Sequence, residues 1–397
     1  MQFRIGKDAY DQDKLRFINA GSQGQVFDLG AGSKAAKIYW DNPTDGQRLK
    51  LIQLFDIGRD LDQDEKVGRS AALPLAPAIG LDKDDLVGFS MRNLDGWPEL
   101  SSLTYDWQAR TFKEANGFRY NDQTAFEAVE RMFTVIARLA RRHIAVGDIK
   151  LSNILIDPKT GNPSFIDMDS VNLEGLDSES GGTEGYTDPH LLELDANAEG
   201  GLYFDAKSDV FALTVVAFQL LVGIMPHMVP THPPFNNLNE YAKRGISLIR
   251  VLRQGTGFLG GEKLQLASSE RIDYLRERLD ELKRIRGASG RDGEQLIEHF
   301  EDVFIWERRD NLIERLAGEE FDPIETVLIR TGGREAIETI AATFGIPVPQ
   351  ATKPTAPTVA LELPRRARRV GPYLAGDPRS LASFAALRGI DIEAMIS

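Results

Sequence analysis

The stretch HIAVGDIKLSNILIDPKTGNPSFIDMD, residues 143–169, decides how this chain is read. Its polar residues interrupt apolar runs where strand ends belong. Ile154-Leu155-Ile156 is one aliphatic run, Phe165-Ile166 is another, and the turn-rich Asp157-Pro158-Lys159-Thr160-Gly161-Asn162 separates them. A hairpin is expected there, holding the loop 148–153 beside Asp167. Moving a γ-phosphoryl group requires a carboxylate to accept the hydroxyl proton and a cation to offset charge on the phosphoryl oxygens. It also requires an amide and a second carboxylate to hold Mg²⁺. Asp148, Lys150, Asn153 and Asp167 are those four groups, so the stretch reads as a phosphoryl-transfer centre.

Toward the N-terminus, residues 15–39 alternate strand-like pairs with glycine: Phe17-Ile18, the run Asn19 to Phe27 containing Gly21, Ser22 and Gly24, a turn at Gly30-Ala31-Gly32, and Ala35-Ala36-Lys37-Ile38-Tyr39. Two strands around a glycine loop and a third bearing one inward lysine make a phosphate cover with a charge to grip it, because glycine lets backbone N–H groups approach phosphate oxygens. Alone, such a loop is also an ordinary hairpin turn; Lys37, eleven residues after Val26, strengthens the phosphate reading. GAGSK (30–34) lacks Walker spacing and is read as a turn. Residues 45–65 read as a helix with Leu49, Ile52 and Phe55 on one face. Asp56 is placed to pair with Lys37, or belongs to a solvated acidic face. Residues 73–94 read as two strands around an Asp-rich turn, ending in a hinge at Asn93-Leu94-Asp95-Gly96 whose backbone suits a nucleobase.

Toward the C-terminus the pattern turns helical. Residues 122–142 carry Phe126, Val129, Met132, Phe133, Ile136 and Leu139 at helical spacing and feed the loop at 148. A Gly- and Ser-containing segment, 174–183, precedes GTEGYTDP (182–189). Residues 205–222 are apolar nearly all round after Asp209, so a buried helix is expected, broken by the four prolines between Gly223 and Pro234. Three amphipathic helices are expected over 262–286, 293–317 and 323–344. An extended Pro-, Thr- and Ala-rich linker follows over 346–364. Arg365-Arg366-Ala367-Arg368-Arg369 and a short helical pattern from Pro378 to Ile396 complete the chain; the arginines read as a solvated tail or as a dock for an acidic surface.

With 397 residues, 42% of them hydrophobic, the chain can bury ordinary cores in two or three structural units. The net charge of −13 argues against non-specific binding to nucleic acid or anionic membrane. No cysteine is present, which excludes disulfides and thiolate metal sites and suits a reducing cytoplasm. MQFRIGKDAYDQDK has no apolar leader core, and no window approaches about eighteen consecutive apolar residues, so neither secretion nor membrane spanning is expected. The five histidines (143, 190, 227, 232 and 299) lack ligand-type spacing.

The ordered set of glycine loop, strand lysine, Asp-x-Lys-x-x-Asn, Asp-x-Asp and buried Asp-containing helix resembles the eukaryotic-like protein kinases over about residues 15–235. More narrowly, GDIKLSNILID, FIDMDS, GTEGYTDP and DVFALTVVAFQLL look like a bacterial branch associated with helix-hairpin-helix modules and tellurium-resistance-type gene clusters, although no such module is evident here. The resemblance implies an α+β, bilobal protein-kinase-like fold: a small β-rich N-lobe (1–96), a larger helical C-lobe with a helical extension (97–345), and a Pro-rich linker with a basic tail (346–397). It implies ATP and Mg²⁺ as cofactors, protein substrates, and as further partners a phosphatase or von Willebrand-type protein from the same cluster.

Carried over by position, the resemblance makes Asp148 the base and Lys150 the group that steadies the phosphoryl group. Asn153 and Asp167 become the Mg²⁺ ligands, and Thr183 the Ser/Thr-type threonine that bonds Asp148 and Lys150. Gly21, Ser22, Gly24 and Val26 form the nucleotide cover, with Lys37 on the α/β-phosphates and Asp56 as its partner. Met91 falls at the gatekeeper, Arg92 to Leu94 at the adenine hinge, and Asp209 at the anchor of the catalytic loop. Departures are Asn19 for the first loop glycine, Val146-Gly147 for His-Arg, Asp167-Met168-Asp169 for Asp-Phe-Gly, and Asp188-Pro189-His190 for Ala-Pro-Glu, with Glu193 as a substitute acid. Without the arginine before Asp148, control by a phosphorylated activation loop is not expected, although Ser178 and Ser180 are candidate phosphosites. The expected activity is a Ser/Thr protein kinase; the alternatives are a nucleotide-binding pseudokinase scaffold and, third, a small-molecule phosphotransferase.

Overall fold

A computed structural model describes residues 1–304 except 31, 64–68, 84, 105–120, 141, 174–181, 190, 193–203, 229–237, 244, 255–257, 260–261, 264–268 and 288–291. Ser178, Ser180, Glu193, the helices expected beyond 304, the linker and Arg365–Arg369 therefore lie outside the described residues.

The N-terminal part is a seven-stranded antiparallel sheet: β1 (Gln2–Ile5), β2 (Asp8–Asp11), β3 (Arg16–Ala20), β4 (Gly24–Asp28), β5 (Lys34–Tyr39), β6 (Ala76–Gly80) and β7 (Leu86–Arg92), in the order β2-β1-β6-β7-β5-β4-β3. The sequence reading assigned no strand before residue 15. Only Phe3 in that segment is a fully buried apolar side chain, and the charged β2 forms an exposed edge, so the period-2 signal is weak. Alternation along β5 sorts the side chains between the two faces of the sheet. Ala36 and Ile38 join Phe3, Phe27, Leu29, Ala78 and Val87 on one face. Lys37 and Tyr39 share the other, where Tyr39 and Met91 pack with Phe89, Ile79 and Leu86.

Helix α1 (Asp45–Asp62) covers that second face. Thr44 caps it with a reciprocal bond to Gln47. Its Leu51 and Phe55 pack under the sheet, whereas Leu49, Leu54, Ile57 and Leu61 enter the helical core. A helix apolar on two faces is thus shared between both halves. Gly58 is where it approaches the following chain: a Cβ there would lie 2.1 Å from the Pro74 carbonyl oxygen.

The helical part contains α2 (Asp122–Ala140), α3 (Ala206–Val222), α4 (Leu238–Lys243), α5 (Leu248–Gln254), α6 (Ser269–Leu282) and α7 (Gly293–Phe304). As its composition foretold, α3 is buried along its length from Ser208 to Val222 except at the half-buried Gln219, packing on α2 and against Phe300 and Phe304 of α7. Arg278 on α6 clamps the bundle by binding both carboxylate oxygens of Asp122 and the Leu221 carbonyl. Of the helix expected over 262–286, Ser269–Leu282 is helical, whereas Glu262–Lys263 instead pairs with Phe258–Leu259.

Between the two parts lies the hairpin anticipated from the opening stretch. Strands β8 (Ile144–Ala145), β9 (Ile154–Ile156), β10 (Pro163–Phe165) and β11 (Asn172–Leu173) form two antiparallel pairs, β9 with β10 and β8 with β11. The β9–β10 hairpin is held on both sides by backbone bonds: Phe165 N–H to the Ser70 carbonyl, Ala72 N–H to the Phe165 carbonyl, and Ile156 N–H to the Pro98 carbonyl. The chain leaving α1 and the chain leaving the sheet are therefore stitched to the strands that bracket the candidate site.

Candidate active site

Asp148 lies after β8, in a loop whose preceding residues are held from below. Asp209, in the first turn of α3, accepts hydrogen bonds from the Val146 and Gly147 backbone N–H groups at 2.6 and 2.8 Å. Gly147 adopts a φ of +79°, a conformation that favours glycine. Asp209 is fully buried. Burial pushes its carboxyl up to about 7, against the two N–H bonds, which pull it down, and with Asp205 adding to the rise.

Four predicted groups converge above this anchor. Asp148 Oδ1 accepts from the Thr183 hydroxyl at 2.6 Å; Oδ2 accepts from Lys150 Nζ at 2.7 Å and from Asn153 Nδ2 at 3.0 Å. Lys150 Nζ also reaches Thr183 Oγ1 at 3.3 Å. Asn153 Nδ2 donates a second time, to the Asp148 carbonyl at 2.9 Å. Both amide hydrogens are thereby spent on Asp148, which leaves the Asn153 Oδ1 oxygen for a cation. The Asp148 side chain keeps 27% of its surface exposed, so a hydroxyl can approach the carboxylate.

Asp167 follows β10 and is tied back to the loop by the Ile166 N–H bond to the Asn153 carbonyl. Its φ is +56°, a left-handed conformation that aspartate tolerates better than most residues. A turn fixes it, with Ser170 donating from both its backbone N–H and its hydroxyl to the Asp167 carbonyl. The Asp167 carboxylate is 57% exposed and stands 3.7 Å from Lys37 Nζ.

Lys37 corrects one expectation. Its ammonium is buried and binds both oxygens of Asp169, at 2.9 and 2.8 Å, and Tyr39 donates its hydroxyl to Asp169 Oδ2 at 2.8 Å. Asp56 is not the partner: it is 46% exposed and pairs with Arg59 one turn along its own helix. The acidic-face alternative is the one realised, because Leu51 and Phe55 take the positions under the sheet and turn Asp56 outward. Sequence reasoning missed Asp169 and Tyr39. The available signals were an acid separated from Asp167 by one apolar residue, and an aromatic hydroxyl two positions after Lys37, hence on the same strand face.

The glycine loop between β3 and β4 separates into two parts. A Cβ on Gly24 would fall 2.3 Å from the Ile38 carbonyl, so this glycine serves the close β4–β5 approach. A Cβ on Gly21 would meet nothing within 4 Å, and its φ is not in the left-handed region. The protein itself makes no demand for glycine there, leaving open space that a ligand can use. Trp40 holds the loop through its indole N–H to the Gly21 carbonyl, and Gln23 Oε1 lies 3.4 Å from Lys37 Nζ. Ser22 is exposed at the loop tip, and half-buried Val26 sits opposite Lys37 in the β4–β5 register.

At the other wall, Met91 pairs with Ala35 across β7 and β5 and packs with Tyr39 and Phe89. Arg92 ends β7 and extends to Asp62 of α1 at 2.6 Å; Leu94 is buried. The Asn93 N–H is already bonded to the Ser33 carbonyl. Arg16 of β3 bridges Asp28 and Asp95, both at 2.7 Å, closing the sheet edge onto the hinge. Its guanidinium, with help from the Gly30 N–H, holds the Asp28 carboxyl below the usual carboxylate range.

The segment bearing Thr183 docks on the helical part. Gly185 N–H bonds Asn239 Oδ1, Glu184 Oε1 accepts from the Leu238 N–H, and the Tyr186 hydroxyl bonds Gln219 Oε1. Gly185 needs to be glycine on two grounds, a φ of +81° and a Cβ position 2.6 Å from Met225 Cε. His227 is buried and bonded to the Ile246 carbonyl, and half-buried His299 is bonded to Thr214; His190 and His232 lie outside the described residues. Among the described residues, no cluster of three or more His, Cys, Asp or Glu side chains could hold a metal by itself, and no helix is long and apolar enough to cross a membrane.

No protein-family model matches the sequence, and no curated protein matches it. Among solved structures, the chain is similar to the kinase PK-1 of Cydia pomonella granulovirus, at 16% identity and a TM-score of 0.42, over 66% of this chain and 85% of that one.

Proposed function

We propose that this chain is an ATP- and Mg²⁺-dependent protein kinase that transfers the γ-phosphoryl group to serine or threonine hydroxyls. The observation that carries the reading is the constellation at Asp148: one carboxylate receiving a hydroxyl, an ammonium and an amide, with Asp167 fixed beside it. Asp148 accepts the proton of the acceptor hydroxyl as that oxygen bonds to the γ-phosphorus and the bond to the ADP leaving oxygen breaks. Lys150 offsets charge on the transferring group, and Thr183 holds the carboxylate and lysine in register. The Lys150–Thr183 pair is what favours a protein hydroxyl over a small-molecule acceptor.

The residues present fit a magnesium nucleotide. Mg²⁺ bound with a nucleotide uses one or two carboxylates and the substrate phosphates rather than an all-protein cage. Asp167 and the Asn153 Oδ1, whose amide partner atom is bonded to Asp148, would be such a set. When bound, Mg·ATP supplies the phosphoryl group and neutralises its oxygens. Lys37 would hold the α/β-phosphates, Gly21 and Ser22 would cover them, and Val26, Met91 and Leu94 would line the base. Since the Asn93 N–H is bonded to the Ser33 carbonyl, base contacts would fall to Arg92 and Leu94. The narrower bacterial affinity rests on the motifs GDIKLSNILID and GTEGYTDP, and a cytoplasmic setting with protein partners, a phosphatase or von Willebrand-type protein among them, belongs to the same proposal.

Incubation with γ-labelled ATP and Mg²⁺, followed by phosphosite mapping, tests this. Label on serine or threonine that is lost in Asp148→Asn is the expected result. Nucleotide-dependent thermal stabilisation without label on any acceptor would replace the kinase with a nucleotide-binding scaffold.

A further inference from the structure

A buried ammonium requires a carboxylate partner, because water is not there to solvate it. Helix α1 offers three acids in its second half, and each is committed elsewhere: Asp56 to Arg59, Asp60 to Arg142, and Asp62 to Arg92. The helix is also fixed, by apolar side chains in two cores and by the Gly58 contact with Pro74. The acids that do reach Lys37, Asp169 at 2.8 Å and Asp167 at 3.7 Å, come from the opposite side of the cleft. Asp169 lies between buried Met168 and the turn at Ser170; its side chain is only 3% exposed, and the chain continues into β11 paired with β8. Tyr39, on the strand that bears Lys37, binds the same Asp169 oxygen that stands closest to the lysine.

We propose that Asp169, oriented by the Tyr39 hydroxyl, is the positioning residue that sets Lys37 for nucleotide phosphates, in place of a carboxylate from α1. The inference rests on the nucleotide-dependent reading above. It makes one three-residue segment, Asp167-Met168-Asp169, carry both the metal-facing carboxylate and the partner of the lysine. Displacing that segment removes both functions together, and rotation of α1 leaves Lys37 without a direct lever.

Two measurements separate this inference from the reading beneath it. Thermal double-mutant cycles need no turnover: Lys37→Met and Asp169→Asn should be non-additive by about 2 °C or more, whereas Lys37→Met and Asp56→Asn should add to within about 1 °C. In turnover with ATP, Asp169→Asn should lower kcat/KM about 10²-fold through a raised KM and a reduced kcat, as expected when a reacting group loses its alignment. Asp169→Glu should recover part of that loss, Tyr39→Phe should cost about tenfold, and Asp56→Ala should stay within about twofold. Additivity of the 37/169 pair, or coupling and activity loss at Asp56, overturns the inference. A wild-type chain that neither binds nor turns over ATP overturns the kinase reading, and the pairing of Lys37 with Asp169 is then decided by the thermal cycle alone.

Discussion

The two sides of the candidate cleft were assembled by different kinds of information. On the helical side, Asp148, Lys150 and Asn153 lie within six residues, and their mutual bonds follow from a short loop between two strands. On the sheet side, Lys37 had to find a carboxylate across 132 positions of sequence, and it found Asp169 rather than the nearer Asp56. Local spacing constrains which side chains can meet within a loop. It does not determine which of several acids a buried lysine selects, because that depends on how a helix rotates under a sheet.

The comparison can be broken most severely at Asp148. Asp148→Asn keeps the volume and removes the proton acceptor, so phosphate incorporation should fall by about 10²- to 10⁴-fold with little change in melting temperature. A variant that retains activity would detach the helical side from the chemistry. Next in size is the anchor beneath it. Asp209→Ala leaves the Val146 and Gly147 N–H groups without their acceptor and should cost about 2–3 kcal/mol in urea unfolding. Loss of activity should accompany it.

On the sheet side, Gly58→Ala forces a Cβ against the Pro74 carbonyl and should destabilise by about 1–3 kcal/mol, measured by the same unfolding experiment. A neutral result would mean that α1 is free to shift, and would weaken the contrast between a fixed helix and a separately held lysine. Asp209 also has a pH response. With its carboxyl raised to about 7, the folded state holds a proton that the unfolded chain, near the ordinary value of about 4, gives up. Its contribution to stability is complete below about pH 4 and is lost as pH rises through about 7. Melting temperature between pH 5 and 8 should therefore decline less steeply in Asp209→Asn than in the wild type. The smallest effect is expected at Asp56: Asp56→Ala should change stability by no more than about 0.5 kcal/mol.

The same division runs through the fold. The β9–β10 hairpin, the strands on either side of the glycine loop, the helix at 122 and the buried helix at 206 were legible because period and turn chemistry agree over each segment. Strands β1 and β2 were not, since one inward Phe3 among charged neighbours carries little pattern, and their place in the sheet is set by pairing with β6. At the site, Thr183 and Asp209 were found from their motifs, although each meets the loop from far along the chain. Asp169 was recognised only as the loss of a glycine. Its function as a partner depends on Tyr39 and Lys37 sharing one strand face, a relation visible only once β5 is placed over the cleft. Gly24 and Gly21 looked alike in sequence, yet one is demanded by a neighbouring carbonyl and the other by nothing in the protein.

A crystal structure of the chain with a non-hydrolysable ATP analogue and Mg²⁺ tests the whole account most directly. The expected result is the metal held by Asp167 and Asn153 Oδ1, with Lys37 on the phosphates and still paired with Asp169. An empty cleft at saturating nucleotide, or Lys37 drawn to Asp56, would contradict it.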